Sequence, residues 1–162
     1  LFISSKGSIP YPLVEGDFSA HVINQHELCL QATLFRPYFY PGEEIPLRVS
    51  YSNPQQRAIR SITVTLHQFY RIHHDQYHAQ LDGKEWTLDH PTLTTQRDWL
   101  GEVLLQLPAR PLPASYKINS VGTTQTIECE LDYRIVIELN EKRGDDLQLT
   151  LPPIEVTYQT SS

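Results

Sequence analysis

The segment after Pro41-Gly42 constrains the fold most, because apolar and polar residues alternate along it without interruption. Proline presets φ at the second position of a β-turn and glycine accepts the positive φ of the third, so this dipeptide predicts a tight turn. The residues that share the apolar face beyond the turn are Ile45, Leu47, Val49 and Tyr51. A period of two predicts a strand with one buried and one exposed face. Asn53-Pro54 predicts the loop that ends it.

Alternation of this kind recurs along the chain and predicts further strands. The clearest runs over residues 126–139, where the apolar face carries Ile127, Cys129, Leu131, Tyr133, Ile135, Ile137 and Leu139. Similar patterns cover residues 27–35, 58–74, 92–107 and 147–158, and no long segment shows the periodicity of an amphipathic helix. We therefore expect an all-β fold. Two sheets can bury their apolar faces against each other, which favours an antiparallel immunoglobulin-like β-sandwich of about seven or eight strands.

The length of 162 residues fits one domain. We expect residues 1–26 to form an irregular lead-in or interdomain linker, residues 27–158 to form the sandwich, and residues 159–162 to form a tail. The sequence does not begin with methionine, which indicates a fragment of a longer protein. Pro152-Pro153 interrupts the last strand, so we expect that strand to bend or change sheets there.

Several residues are expected to shape the strands. Asp82-Gly83 predicts a hairpin turn. Gly101 shares a face with Trp99 and predicts a bulge or a close approach of another group. Gln68 has the parity of the buried residues of its strand. Because an unpaired buried amide is costly, we expect the Gln68 side chain to bond neighbouring backbone.

Composition and charge exclude several classes of function. A net charge of −6 argues against binding to nucleic acid and against purely electrostatic docking on anionic lipid. No apolar run reaches the roughly 18–20 residues of a membrane span, and the N-terminus lacks the pattern of a signal peptide. Cys29 and Cys129 fall on faces of opposite parity. We therefore expect two free thiols in a reducing compartment, not the inter-sheet disulfide of an immunoglobulin domain.

Two sharper motifs are outweighed by simpler explanations. The histidines His67, His73, His74, His78 and His90 suggest a metal, but no cysteine or carboxylate cluster completes a ligand set. Arg143-Gly144-Asp145 is an integrin-type tripeptide, yet it lies where a hairpin turn is needed. No nucleophile elbow or phosphate loop is present. We expect no metal, no cofactor and no enzymatic activity.

The order of the motifs resembles the C-terminal domain of the arrestins. Residues 28–34, the run Tyr40-Pro41-Gly42-Glu43-Glu44-Ile45, and residues 49–53 are similar to the opening of that domain. Trp99-Leu100-Gly101, followed by residues 105–108, resembles the Trp-x-Gly segment of the α-arrestins, the arrestin-domain-containing proteins. Leu131-Asp132-Tyr133 and residues 146–153 resemble its later strands. The resemblance covers residues 27–158, and the α-arrestins are the most similar branch.

This resemblance implies a non-enzymatic adaptor of protein trafficking. Arrestin-fold proteins bind cytoplasmic parts of membrane proteins and recruit endocytic or ubiquitin-ligase proteins. The resemblance therefore implies a cytoplasmic protein recruited through partners to the plasma membrane or endosomes. α-Arrestins bind WW-domain ligases through Pro-Pro-x-Tyr motifs beyond this domain, and the printed sequence contains none. Gln55 stands where one α-arrestin has its thioredoxin-binding cysteine, and Thr63 and His67 stand where other arrestins place basic residues for inositol phosphates.

The exposed faces of the second and third predicted strands are the candidate partner surface. Its residues are Arg48, Arg60, His67, Arg71, His73 and His74. Arginine side chains could pair there with an acidic or phosphorylated segment.

The alternatives to a trafficking adaptor are a constitutive retromer-type arrestin-fold scaffold and an extracellular β-sandwich recognition domain.

Overall fold

The computed structural model describes residues 18–88, 97–109, 116–121, 126–144 and 146–158. Strands account for most of these ranges, as the alternation predicts. In chain order they are β1 (Phe18–Ile23), β2 (Cys29–Leu34), β3 (Tyr38–Phe39), β4 (Glu44–Ser52), β5 (Ile59–Ile72), β6 (Asp75–Thr87), β7 (Asp98–Gln106), β8 (Tyr116–Val121), β9 (Thr126–Glu141), β10 (Leu147–Thr150) and β11 (Glu155–Val156). These strands outnumber the roughly seven or eight that the sequence predicts. Part of the difference comes from β3 and β11, which are only two residues long.

Two antiparallel sheets pack face to face. The first sheet has the order β1-β2-β4-β7, and the second has the order β10-β9-β5-β6 with β8 also paired to β9. Their apolar faces meet in one core, in which Leu30 and Ile45 of the first sheet and Leu66 and Tyr133 of the second are 0% exposed. Burying side chains of this size contributes about 1.5–3 kcal/mol each. The predicted all-β antiparallel sandwich is confirmed.

The Pro41-Gly42 turn forms as predicted, with Gly42 at a φ of 87°. The Glu43 N–H donates to the Tyr40 carbonyl at 3.0 Å and closes the turn. The Glu43 carboxylate accepts the Tyr40 N–H at 2.7 Å and also pairs with Arg36. The glutamate after the turn thereby ties it to the end of β2.

The predicted hairpin turn at Asp82-Gly83 is wrong. Both residues lie inside β6, where Gly83 pairs with Thr65 and the register with β5 shifts between Leu66 and His67. The chain instead reverses at His73-His74, and His73 adopts a φ of 55° that histidine tolerates better than most residues. The predicted strand over residues 58–74 is therefore one arm of a long hairpin, and β6 is the other arm.

The lead-in expected over residues 1–26 is corrected in part. Residues 18–23 form β1, which pairs with β2 at the edge of the first sheet. The alternation of β1 is short, so tertiary pairing reveals a strand that the sequence pattern alone did not. The rest of the predicted lead-in through residue 17, and the predicted tail at 159–162, lie outside the described residues.

The chain changes sheets just after Pro152-Pro153, as predicted, once Ile154 has bonded Tyr133 of β9 a last time at 2.9 Å. β10 pairs with β9 through Thr150, and β11 then pairs with β3 in parallel. Two consecutive prolines lack the N–H groups that would continue the β10 ladder. The parallel β3–β11 pair is the exception to the predicted antiparallel arrangement.

Gly101 and Gln68 have structural roles that refine the predictions. A Cβ on Gly101 would lie 2.5 Å from the Trp99 ring and 3.1 Å from Trp86. The glycine thus permits a close approach, and β7 runs beside β4 without a bulge. Gln68 was expected to bond backbone, but its Nε2 donates to the Tyr133 hydroxyl at 3.2 Å. Tyr133 is its direct neighbour on β9, a pairing that only the sheet order brings about.

Candidate functional site

The strongest polar cluster lies on the outer face of the second sheet, where β5 runs between β6 and β9. The register places Arg71 opposite Glu130, and Phe69 between Asp132 of β9 and His78 of β6. We call this cluster the β5–β9 patch. Its residues are His67, Phe69, Arg71, His78, Glu130, Asp132 and Arg134.

Ion pairs hold the two arginines of the β5–β9 patch in defined positions. Arg71 donates to Glu130 at 3.0 Å, and Arg134 donates to both oxygens of Asp132 at 2.9 Å. The Arg134 side chain is 22% exposed and that of its partner Asp132 is 10% exposed, whereas the Arg71 side chain is 34% exposed. Bidentate arginine–carboxylate pairs are geometrically rigid. Arg134 is therefore largely a positioning group, and Arg71 is the arginine that can reach a partner.

Aromatic rings continue the β5–β9 patch toward β6. The Arg134 guanidinium lies 4.6 Å from the centre of the Phe69 ring, and Phe69 stacks on His78 at 5.5 Å. Cation–π contacts of this length are favourable because the ring face is electronegative. The patch thus combines charge with flat apolar surface, a combination suited to protein contacts.

His67 lies at the side of this aromatic row. Its Nε2 is 2.8 Å from the Thr65 hydroxyl and its ring lies 5.6 Å from His78. Burial, and next the neighbouring His78, lowers the pKa of His67. We therefore expect a neutral imidazole at neutral pH.

The structure brings together only some of the residues predicted for the partner surface. His67 and Arg71 belong to the β5–β9 patch, and the exposed His73 and His74 form the hairpin turn next to it. Arg60 is exposed at the opposite end of β5. At the usual rise per strand residue it lies about 36 Å from Arg71.

Arg48 lies on the outer face of the first sheet. Its nearest acidic partner is Glu102, at 3.8 Å. Outer faces of a sandwich point in opposite directions, so Arg48 and Arg71 cannot form one surface. The predicted grouping of these two arginines is therefore wrong.

Phe69, Asp132 and Arg134 were missed by sequence reasoning. Asp132 and Arg134 stand on the polar face of the clearest predicted strand, so the alternation indicated which way their side chains point. Their proximity to β5 depends on strand order, which alternation does not encode.

A second polar junction, also missed, closes one end of the sandwich. The Asn53 side chain accepts the Arg57 N–H at 2.9 Å and donates to the Arg57 carbonyl at 2.8 Å. Arg57 in turn donates to Glu141 at 2.6 Å, and the Glu141 side chain is 2% exposed. The asparagine that ends β4 therefore organises a loop locked to the end of β9.

The side chains that could bind a metal do not cluster in the described ranges. Within these ranges no group of three or more histidine, cysteine, aspartate or glutamate side chains could hold a metal ion. Both cysteines are free, and burial raises the pKa of the Cys29 thiol, which disfavours the reactive thiolate. Burial, and then Asp98, raises the pKa of Tyr51 to about 12, so its phenol stays neutral.

The described part of the chain contains no helix that is long and apolar enough to cross a membrane.

Comparisons with known proteins agree with this architecture. Residues 24–157 match the family "Arrestin (or S-antigen), C-terminal domain". Two similar relatives are arrestin red cell isoform 2 and arrestin red cell isoform 1 of Oncorhynchus mykiss, each 26% identical over 163 aligned positions and 88% of this chain. The chain spans about 40% of the length of these relatives. Arrestin domains suggest a role in protein interaction and are generally non-enzymatic. The match covers most of the sequence, and this chain belongs to the arrestin C-terminal domain family.

Proposed function

We propose that this chain is the protein-interaction domain of an arrestin-related trafficking adaptor. It binds cytoplasmic parts of membrane proteins, or the endocytic and ubiquitin-ligase proteins that act on them. The observation that carries the proposal is the family match over residues 24–157. The protein would work in the cytoplasm and reach the plasma membrane or endosomes through its partners, without catalysis or a cofactor.

The α-arrestins are the branch that we favour within the family. Support comes from Trp99-Leu100-Gly101, in which the structure gives the glycine a packing role beneath the tryptophan. Sequencing the open reading frame around this chain tests the assignment. We expect a second sandwich upstream and Pro-Pro-x-Tyr motifs downstream, and a frame without such motifs would contradict the branch.

The β5–β9 patch is the surface through which we propose that the domain contacts a partner. An acidic segment could replace Glu130 on the accessible side of Arg71, since that ion pair is partly solvated. The Phe69 and His78 rings beside it supply apolar contact. Arg134, held by Asp132, keeps Phe69 in place.

Proximity labelling in cells tests both the function and the surface. The chain is fused to a labelling enzyme and compared with Arg71→Glu and with a matched control, Arg60→Glu, which reverses an exposed charge at the far end of β5. We expect the unaltered chain to enrich membrane and trafficking proteins. We expect Arg71→Glu to lose them by several-fold while Arg60→Glu retains them.

Two results would contradict these proposals. Enrichment no greater than that of an unrelated fusion would reject the adaptor function. Enrichment that survives Arg71→Glu would reject the β5–β9 patch as the contact surface but not the adaptor function. Thermal unfolding of both variants serves as the control for folding.

A further inference from the structure

The free edge of the first sheet has an unusual surface. β7 is the last strand in the order β1-β2-β4-β7 and pairs only with β4 among the described strands. Its outward residues are all exposed, and Leu100 and Leu104 are 60% and 51% exposed. Few apolar side chains of this size are as exposed on the described surface. They stand four residues apart on one face, and Glu102 lies midway between them.

The backbone N–H and C=O groups of these outward residues of β7 point away from β4. The Leu107 N–H donates to the Glu43 carbonyl, and the Asn53 N–H donates to the Arg97 carbonyl. Odd-numbered residues of β7 therefore bond β4, and in an antiparallel ladder the even-numbered residues direct their N–H and C=O groups to the other side. At the C-terminal end of β7, the Gln106 N–H donates to the Asp82 carboxylate at 2.7 Å. The groups of Asp98, Leu100, Glu102 and Leu104 line the rest of the edge.

Natural edge strands usually carry features that prevent further pairing. Proline, bulges, lysine and short length are the common ones. β7 is nine residues long, contains no proline, and pairs with β4 in continuous register. Its only outward charges are Asp98 and Glu102, and both are negative. Glu102 is 65% exposed and lies 3.8 Å from Arg48, so a partner can reach it.

We propose that the free edge of β7 binds an extended segment of a partner protein by strand addition. The segment carries apolar residues opposite Leu100 and Leu104 and basic residues opposite Asp98 and Glu102. The backbone of the edge supplies hydrogen bonds, and the outward side chains select the sequence. This edge belongs to the opposite sheet from the β5–β9 patch, so the two surfaces can be tested separately.

A second copy of the chain fits this edge less well. In antiparallel pairing, the register that sets Leu100 of one copy opposite Leu104 of the other also sets Glu102 opposite Glu102. The register that sets Leu100 opposite Leu100 sets Asp98 opposite Glu102. Like charges directly opposite each other are destabilising. The acidic pattern therefore favours a basic partner over self-association.

A synthetic peptide with the sequence Leu-Thr-Lys-Thr-Leu-Thr-Lys tests the proposal on the purified chain. Paired antiparallel, its leucines face Leu104 and Leu100 and its lysines face Glu102 and Asp98. Binding is measured by amide chemical shifts, which we expect to change at Leu100, Glu102 and Leu104. Methylation of the leucine and lysine amides should abolish binding, because those groups face the edge. Methylation of the threonine amides should not.

Charge exchange identifies the site. Glu102→Lys should weaken the lysine peptide about tenfold and improve a matched peptide with glutamate at both lysine positions. Glu85→Lys, which changes an exposed glutamate on the edge strand of the other sheet, should alter the binding of neither peptide.

Three outcomes would overturn the proposal. They are no binding at about 1 mM peptide, binding that is indifferent to Glu102→Lys, and shifts confined to other strands. Sedimentation equilibrium adds a fourth. A dimer that dissociates on Leu104→Pro, which removes an edge N–H but no β4 bond, would show that a second copy occupies the edge.

Discussion

The two sheets bury similar apolar faces, yet their outer surfaces differ. On the second sheet the charged groups of the β5–β9 patch are paired at short distances, as in Arg71–Glu130 and the bidentate Arg134–Asp132 contact. On the first sheet Arg48 and Glu102 are 3.8 Å apart, and both side chains are about half exposed or more. The comparison shows that charged side chains on a sheet can either be held in defined ion pairs or be only loosely paired. Burial and hydrogen bonding decide which.

The largest effect should come from the buried ion pair at the end of the second sheet. Glu141→Ala leaves Arg57 without its carboxylate, and because Glu141 is 2% exposed we expect a loss of about 2–3 kcal/mol of unfolding free energy. The exposed counterpart, Glu102→Ala, should cost less than about 0.5 kcal/mol. Urea denaturation of both variants measures the difference. Equal losses would remove the distinction between the two sheets.

The next effect concerns packing within the first sheet. Gly101→Ala forces a methyl group to within 2.5 Å of Trp99, which is held against Trp86 and Tyr51. We expect a loss of about 1–3 kcal/mol and a change in tryptophan fluorescence. Gly83→Ala is the matched control on β6. Its new methyl meets the movable end of Gln80, so we expect almost no change. A neutral Gly101→Ala would show that the tryptophan can move aside.

The smallest effect is the pH dependence of the β5–β9 patch. The pKa of His67 is lowered in the folded state, so the unfolded chain takes up its proton first as the pH falls. His67 therefore reduces stability below its ordinary pKa and has no effect well above it. Between pH of about 7.5 and about 5.5, the urea midpoint of His67→Gln should fall less than that of the unaltered chain. An equal fall of the urea midpoint in both proteins would show that His67 contributes nothing to the pH dependence of stability.

Local patterns predicted much of the interior and little of the polar surface. The alternation around Ile45 and around Leu131 identified buried residues correctly, and Pro41-Gly42 and Pro152-Pro153 marked a turn and a change of sheet. Asp82-Gly83 is an equally strong local signal, but it failed. There the Asp82 carboxylate accepts the N–H of its own neighbour Gly83 at 2.9 Å and that of Gln106 at 2.7 Å. A contact across the sheets thus outweighed a local preference.

The buried face of each main strand follows from the amino-acid sequence alone, because side-chain direction alternates with a period that depends only on neighbouring residues. Which strands lie side by side depends on long-range pairing in the folded chain. That pairing placed Arg71 beside Glu130 and Gln68 beside Tyr133, in contacts that span 59 and 65 residues, and it separated Arg48 from Arg71. Those contacts depend on closing long loops and on the burial that many strands achieve together, so no single segment encodes them.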